Sequence, residues 1–158
     1  MTDISDLIAE LRSNTIKKRR NAALLMGKSG NPVVIGPLTE ALADPHPGVR
    51  SEIVQALGRL GDSSALTGLI ASLKDADLSV RVATISAMGR IRDRDAVDPL
   101  IRCLSDKEVI IRIGAAEVLG KLRDRRATGP LNDLKNDPFP EVREAAERAL
   151  RKLQKPHY

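Results

Sequence analysis

An all-α solenoid of five stacked helix pairs is the fold this sequence predicts, on three observations. Sliding the chain against itself gives a register at 31 residues that holds from end to end without insertion, and five such units account for 155 of the 158 residues. A fixed period of roughly 20 to 50 residues is the mark of a solenoid. Within each unit, apolar residues recur at helical spacing in two separate runs, and neither run alternates with period two. Aromatic residues make up only 1% of the chain, so the core must be built from Leu, Ile, Val, Ala and Met.

The register is visible column by column. Arg19, Arg50, Arg81, Arg112 and Arg143 form one column, preceded by Lys18, Val49, Val80, Ile111 and Val142. Gly27, Gly58, Gly89 and Gly120 form a second that ends at Arg151, and Leu7, Leu38, Leu69, Leu100 and Leu131 form a third. The repeats therefore run 1–31, 32–62, 63–93, 94–124 and 125–158. In the third, Leu66, Leu69, Ile70 and Leu73 make the first helix, Asp75-Ala76-Asp77 interrupts, and Val80, Thr84, Ile85, Ala87, Met88 and Ile91 make the second. Pro37, Pro99 and Pro130 fall near the starts of first helices, where a missing N–H is least costly. A two-helix unit this short cannot cover its own apolar face, so the units must stack. The expectation is one domain, 1–158, wound as a right-handed superhelix of ten helices with a curved inner wall.

The string Asp-x-x-x-x-x-Arg followed by Ala-x-Gly or a close variant, as in Asp75 to Arg81 and then Ala87-Met88-Gly89, resembles HEAT-like repeats of the phycobiliprotein-lyase type. The resemblance runs over essentially the whole chain and implies the fold. It does not single out an activity, because the family includes scaffolds, lyase subunits and a metal-dependent hydroxylase. Asp44 and Arg50, Asp75 and Arg81, Asp106 and Arg112, and Asp137 and Arg143 repeat the same spacing. An Asp in the turn accepts hydrogen bonds from N–H groups opening the second helix, and an Arg with five donors reaches the Asp of a neighbouring unit. These eight residues are assigned to a structural ladder. The first repeat departs by carrying Ser13 and Lys18 in place of Asp and Val, as a solvent-facing cap does.

Catalytic and cofactor chemistry finds little support. Gly27-Lys28-Ser29 looks like the end of a phosphate loop, but Ala22 stands where that motif needs Gly, and the string closes a helix instead of opening one. His46, in Asp-Pro-His-Pro-Gly, and His157 are the only histidines, with no second ligand at metal spacing, and His46 reads as a solvated turn residue. Cys103 shares a column with Ala41, Ser72 and Leu134 and reads as a small buried residue. The resemblance to HEAT-like hydroxylases implies a His-Glu pair directly after the repeat Arg. The matching pairs are Arg20-Asn21, Ser51-Glu52, Val82-Ala83, Ile113-Gly114 and Glu144-Ala145, without a histidine, so the di-iron reading is not carried over. Similar helical-repeat glycosylases imply aromatic residues at a lesion pocket, which this composition lacks. No cofactor, no metal and no enzymatic activity are expected.

Function is expected on the exposed side of the second helices, which the resemblance places on the concave wall. With Val80, Thr84, Met88 and Ile91 turned to the core, Ser79, Val82, Ser86 and Arg90 face outward. Applied to every repeat, the rule yields an apolar centre of Val82, Ile110 and Ile113 and a basic edge of Lys28, Arg59, Arg90, Lys121 and Lys152. The apolar centre is either a patch for a protein partner or already buried by curvature; both readings stand at this point. The charge of the five blocks runs +3, −2, +1, 0 and +3 within a net +5, so positive charge gathers at the ends and not along a groove. A binder of many phosphates concentrates charge along its length, which places nucleic acid second to a protein partner.

The expected function is thus a non-catalytic protein-interaction scaffold, with an accessory or chaperone-like subunit of a phycobilin lyase, or a nucleic-acid or polyanion binder, as alternatives. A single cysteine cannot form an internal disulfide, the start MTDISDLIAELRS is acidic where a secretory signal is basic, and no apolar run is long enough to cross a bilayer. A monomer in the cytoplasm, with no membrane partner, is expected.

Overall fold

The computed structural model describes residues 3–155, and these form helices and turns with no strand among them. Short first helices alternate with long second ones: α1 (Ile4–Glu10) and α2 (Ile16–Ser29), α3 (Ile35–Glu40) and α4 (Pro47–Leu60), α5 (Leu66–Ser72) and α6 (Leu78–Ile91), α7 (Val97–Cys103) and α8 (Val109–Leu122), and α9 (Thr128–Leu134) and α10 (Pro140–Gln154). From α3 onward each first helix is entered through a 3₁₀ turn. The Asn31, Asp62, Asp93 and Asp124 side chains cap these turns by accepting the N–H two residues on, at Val33, Ser64, Asp95 and Arg126.

The chain divides between Ile91 and Arg92 into two compact units. In the first, α2 packs on α4 and α4 on α6, with α1, α3 and α5 each laid against the second helix of its own repeat. In the second, α8 packs on α10, with α7 on α8 and α9 on α10. Met26, Val49, Ile53, Leu57, Leu69, Val80 and Met88 are fully buried in the first unit, and Leu100, Leu119, Leu131 and Val142 in the second. Thr84 is the buried polar exception of its core column; its hydroxyl donates to the Val80 carbonyl at 2.8 Å, so that hydroxyl is not stranded.

The glycine column allows the long helices to approach. A Cβ on Gly27 would stand 2.6 Å from the Ala56 Cα, on Gly58 2.8 Å from the Ala87 Cα, and on Gly120 2.8 Å from the Ala149 Cα. Helix backbones therefore meet at a glycine on one side and an alanine on the other.

The arginine column bonds in two directions. Each arginine sends Nη1 back to the carbonyl six residues earlier: Arg19 to Ser13 at 2.9 Å, Arg50 to Asp44, Arg81 to Asp75 and Arg112 to Asp106 at 2.8 Å, and Arg143 to Asp137 at 2.7 Å. Three of them also clasp the carboxylate of the next repeat through Nε and Nη2. These are Arg19 on Asp44 (2.6 and 3.1 Å), Arg50 on Asp75 (2.7 and 2.9 Å) and Arg112 on Asp137 (2.8 and 3.1 Å). Each Asp meanwhile accepts the N–H two residues on, at His46, Asp77, Glu108 and Phe139. That residue precedes the second helix, so the Asp bonds the approach to the helix and not its first turn. Arg81 keeps its two carbonyl bonds, to Asp75 and Ala76, while its buried Nε has no hydrogen-bond partner among the described residues. Ser13 lacks the carboxylate but keeps both the carbonyl bond to Arg19 and the turn, its hydroxyl accepting from the Thr15 N–H.

These bonds tune the carboxylates. The Arg50 guanidinium, with the Asp77 N–H, holds Asp75 below the ordinary carboxylate value against the opposing effect of burial. Burial pushes hardest on Asp44 and Asp137, but the Arg19 and Arg112 guanidiniums and the turn N–H groups together carry both below it.

Gly58→Val is expected to destabilise by about 1 to 3 kcal/mol because α4 and α6 must part. Gly129→Ala, at a helical position where an added Cβ meets nothing within 4 Å, is expected to be neutral or stabilising by about 0.5 to 1 kcal/mol in the same urea titration. Arg50→Ala is expected to cost about 1 to 3 kcal/mol, because it removes both bonds to the Asp75 carboxylate. Because Asp75 has a folded pKa below its unfolded value, its contribution is complete above about pH 4 and is lost as pH falls through the lower folded value. Stability measured between pH 5 and 2 is therefore expected to decline less steeply in Arg50→Ala than in the parent.

Candidate partner-binding surface

The long helices bury one face and leave a row of side chains on the other, set by their 3.6-residue period. In the first unit Lys17, Arg20 and Lys28 on α2 are exposed and Leu24 is half-buried; on α4, Gln55 and Arg59 are exposed and Ser51 is half-buried. On α6, Ser79, Ser86 and Arg90 are exposed and Val82 is half-buried. A shallow groove of about 660 Å³ runs between α4 and α6, with Ser51, Gln55, Leu78, Val82, Ser86 and Arg90 among the residues along it. Val82 and Arg90 thus share one groove.

Leu78, 38% exposed and one helical turn before Val82, completes the apolar part of that groove and was not singled out in the sequence. The signal was present: the column that opens each second helix reads Ile16, Pro47, Leu78, Val109 and Pro140, and Ile16 is likewise 41% exposed.

The basic edge is less uniform than its column. Arg59 donates Nη1 to Glu52 Oε1 at 3.1 Å and Nη2 to Gln55 Oε1 at 3.5 Å, so a carboxylate on its own helix neutralises it. Lys28 and Arg90 enter no ion pair among the described residues.

In the second unit Ile110 is 53% exposed, Ile113 is half-buried three residues on, and Lys121 is exposed at the far end of α8. The Arg148 guanidinium on α10 lies 3.7 Å from both Glu117 and Glu144, so acid and base alternate beside the two isoleucines. Lys152 is exposed, its stem passing the Gly120 backbone.

The decoys have structural explanations. His46 is half-buried and its Nδ1 accepts the Gly48 N–H at 3.1 Å, capping α4; it is a helix cap and not the free turn residue expected. Cys103 is half-buried, not fully buried, and its thiol is pushed up to about 11 by burial, with the Asp106 charge adding. Gly27-Lys28-Ser29 closes α2 before a left-handed Gly30. His157 lies outside the described residues. Among the described residues no three His, Cys, Asp or Glu side chains are grouped to hold a metal ion, and no helix is long and apolar enough to cross a membrane.

These repeats define the class: the chain belongs to the HEAT-repeat family, whose model matches residues 4–79 and 66–151. The arrangement is similar to that in the complex of CpcE and CpcF of phycocyanin lyase from Nostoc sp. PCC7120, at 26% identity and a TM-score of 0.83 over 98% of this chain. This chain covers 66% of that one, just under two thirds of its length. A designed armadillo repeat protein in complex with the peptide (KR)4 is similar at 21% identity and a TM-score of 0.69, covering 96% of this chain and 82% of that one. Human deoxyhypusine hydroxylase is similar at 16% and 0.54, covering 96% and 84%. The last two likenesses show the α-solenoid fold alone. No curated protein sequence matches the chain.

A half-buried thiol held at about 11 is protonated at neutral pH. Labelling of Cys103 by iodoacetamide at pH 7.5 is expected to be at least tenfold slower in the folded protein than in urea.

Proposed function

We propose that the chain is a non-catalytic scaffold that holds a protein partner on the outward face of its second helices. The observation that carries this reading is the groove between α4 and α6, where Leu78 and Val82 present apolar surface beside the uncompensated Arg90. An apolar strip with a charged end suits a partner side chain that buries its body and leaves an acidic group at the rim. Ile110 and Ile113 offer a comparable apolar pair on α8. The half-buried side chains of the row give no nucleophile beside a base, and the one thiol is held protonated, which supports a binding role over a chemical one.

A second reading is favoured by the likeness to the CpcE–CpcF complex, which covers 98% of this chain. On that reading the partner is a second HEAT-repeat subunit or a phycobiliprotein chain, and the scaffold assists a lyase. A nucleic-acid partner along the basic edge draws less support, because Arg59 is spent on Glu52 and Glu117 and Glu144 stand on the corresponding face of the second unit.

Tagged parent and Val82→Glu chains, each checked for an unchanged thermal melt, should be used to recover partners from the native host. A protein retained by the parent is expected to bind Val82→Glu at least tenfold more weakly, about 1.4 kcal/mol, and Arg90→Glu chiefly with a slower, salt-sensitive association. Retention of a phycobiliprotein or a second repeat subunit selects the lyase reading. Equal binding by Val82→Glu overturns the apolar groove as the site.

A further inference from the structure

The second unit has a cavity that the partner-binding row does not use. Its volume is about 720 Å³, and Arg94, Arg123, Arg125 and Lys155 stand around it over a floor that includes Leu150 and Leu153. Among the described residues none of these four cations enters an ion pair. The lining holds one carboxylate, Asp124, and that charge is already met by Arg126: Nε reaches Oδ1 and Nη2 reaches Oδ2, each at 3.0 Å. Arg126 is fixed in turn by Asp98 at 2.9 Å and by the Arg94 carbonyl at 3.1 Å. Among the described residues the cavity therefore gathers four positive charges with no uncompensated negative one.

The sequence of the loops agrees. The segments before α7 and α9 read Arg92-Asp93-Arg94 and Arg123-Asp124-Arg125, where those before α3 and α5 read Gly30-Asn31-Pro32 and Gly61-Asp62-Ser63. All four loops begin in the left-handed region, with φ of 64° at Gly30, 70° at Gly61, 59° at Arg92 and 54° at Arg123. Glycine takes that conformation without strain, whereas an arginine does not. At Arg123 the strain places a guanidinium at the cavity, an arrangement the fold itself does not require, since glycine closes the same turn in two other repeats.

We propose that this cavity binds a compact oligophosphate, two or three linked phosphoryl groups, either free or at the end of a small molecule. Guanidinium forks match paired phosphate oxygens, and the arginines and Lys155 surround a volume within the usual range of ligand pockets. A single phosphate, at charge about −2, leaves half of the cations uncompensated. The Leu150 and Leu153 floor limits water on one side and strengthens the charge pairing. Among the described residues no aromatic ring lines the cavity to stack a base, and recognition rests on the phosphoryl groups.

Isothermal titration of the full chain with inorganic orthophosphate, pyrophosphate and tripolyphosphate at constant ionic strength tests this. One site is expected, with affinity at least tenfold higher for tripolyphosphate than for orthophosphate. Arg94→Gln and Arg125→Gln are expected to lose at least tenfold, while Lys28→Gln and Arg90→Gln, outside the cavity, bind as the parent. Arg123→Gly is the discriminating variant, expected to lose affinity while melting at the same temperature or higher. Adenosine triphosphate binding as tightly as tripolyphosphate assigns recognition to the phosphoryl chain alone, and tighter binding adds the leucine floor. Absence of saturable tripolyphosphate binding, equal weakening by Lys28→Gln and Arg94→Gln, or single-stranded DNA that binds while tripolyphosphate fails to displace it overturns the proposal.

Discussion

The structure depends on a guanidinium that bonds in two directions. Nη1 of the repeat arginine ties the start of its own long helix to the carbonyl that ends the preceding turn, and within each unit Nε with Nη2 of Arg19, Arg50 and Arg112 ties the repeat to the next one's aspartate. The first bond sets the angle between the two helices of a pair. The second sets the rotation between one pair and the next, and a rigid planar fork does this with a definition that a lysine could not supply. Once that rotation is set, the glycine of one long helix lies against the alanine of its neighbour, and the apolar columns meet in the core. Which residues of α4 and α6 look outward, and hence the content of the groove, follow from the same constraint.

Periodicity made the architecture legible. Repeat boundaries, helix order and the core faces of the long helices can be read from column identity because one local structure recurs, and the same 3.6 period that buries Val80 and Met88 exposes Ser79 and Ser86. Individual attachments are less legible. The column shows Arg59 as one more basic residue, but only coordinates show that Glu52, two helical turns earlier, holds it. His46 reads as a loop residue until its ring nitrogen is seen on the Gly48 N–H. The exposure of Leu78 depends on how far α4 and α6 stand apart at their first turns, a quantity that no column records.

The two units carry different surfaces on the same frame. The long-helix face of the first is an apolar groove with a basic end, while the loops of the second gather arginines that the earlier repeats replace with glycine, proline and serine. Repeat proteins diversify in this way because each unit is held by its neighbours through a few columns, and positions outside those columns change without loss of the stack.

The reach of the ladder also bears on how the chain folds. Every arginine-to-aspartate rung spans 25 residues, and the glycine-to-alanine contacts have a similar span, so the stabilising links within each unit join segments close in sequence. Loop closure over such distances is inexpensive in entropy, and low contact order goes with rapid folding. Among the described residues α1 packs chiefly on α2, whereas α4 is clasped by both α2 and α6, so the amide hydrogens of α1 exchange sooner than those of α4. Opening thus begins where a helix is clasped least.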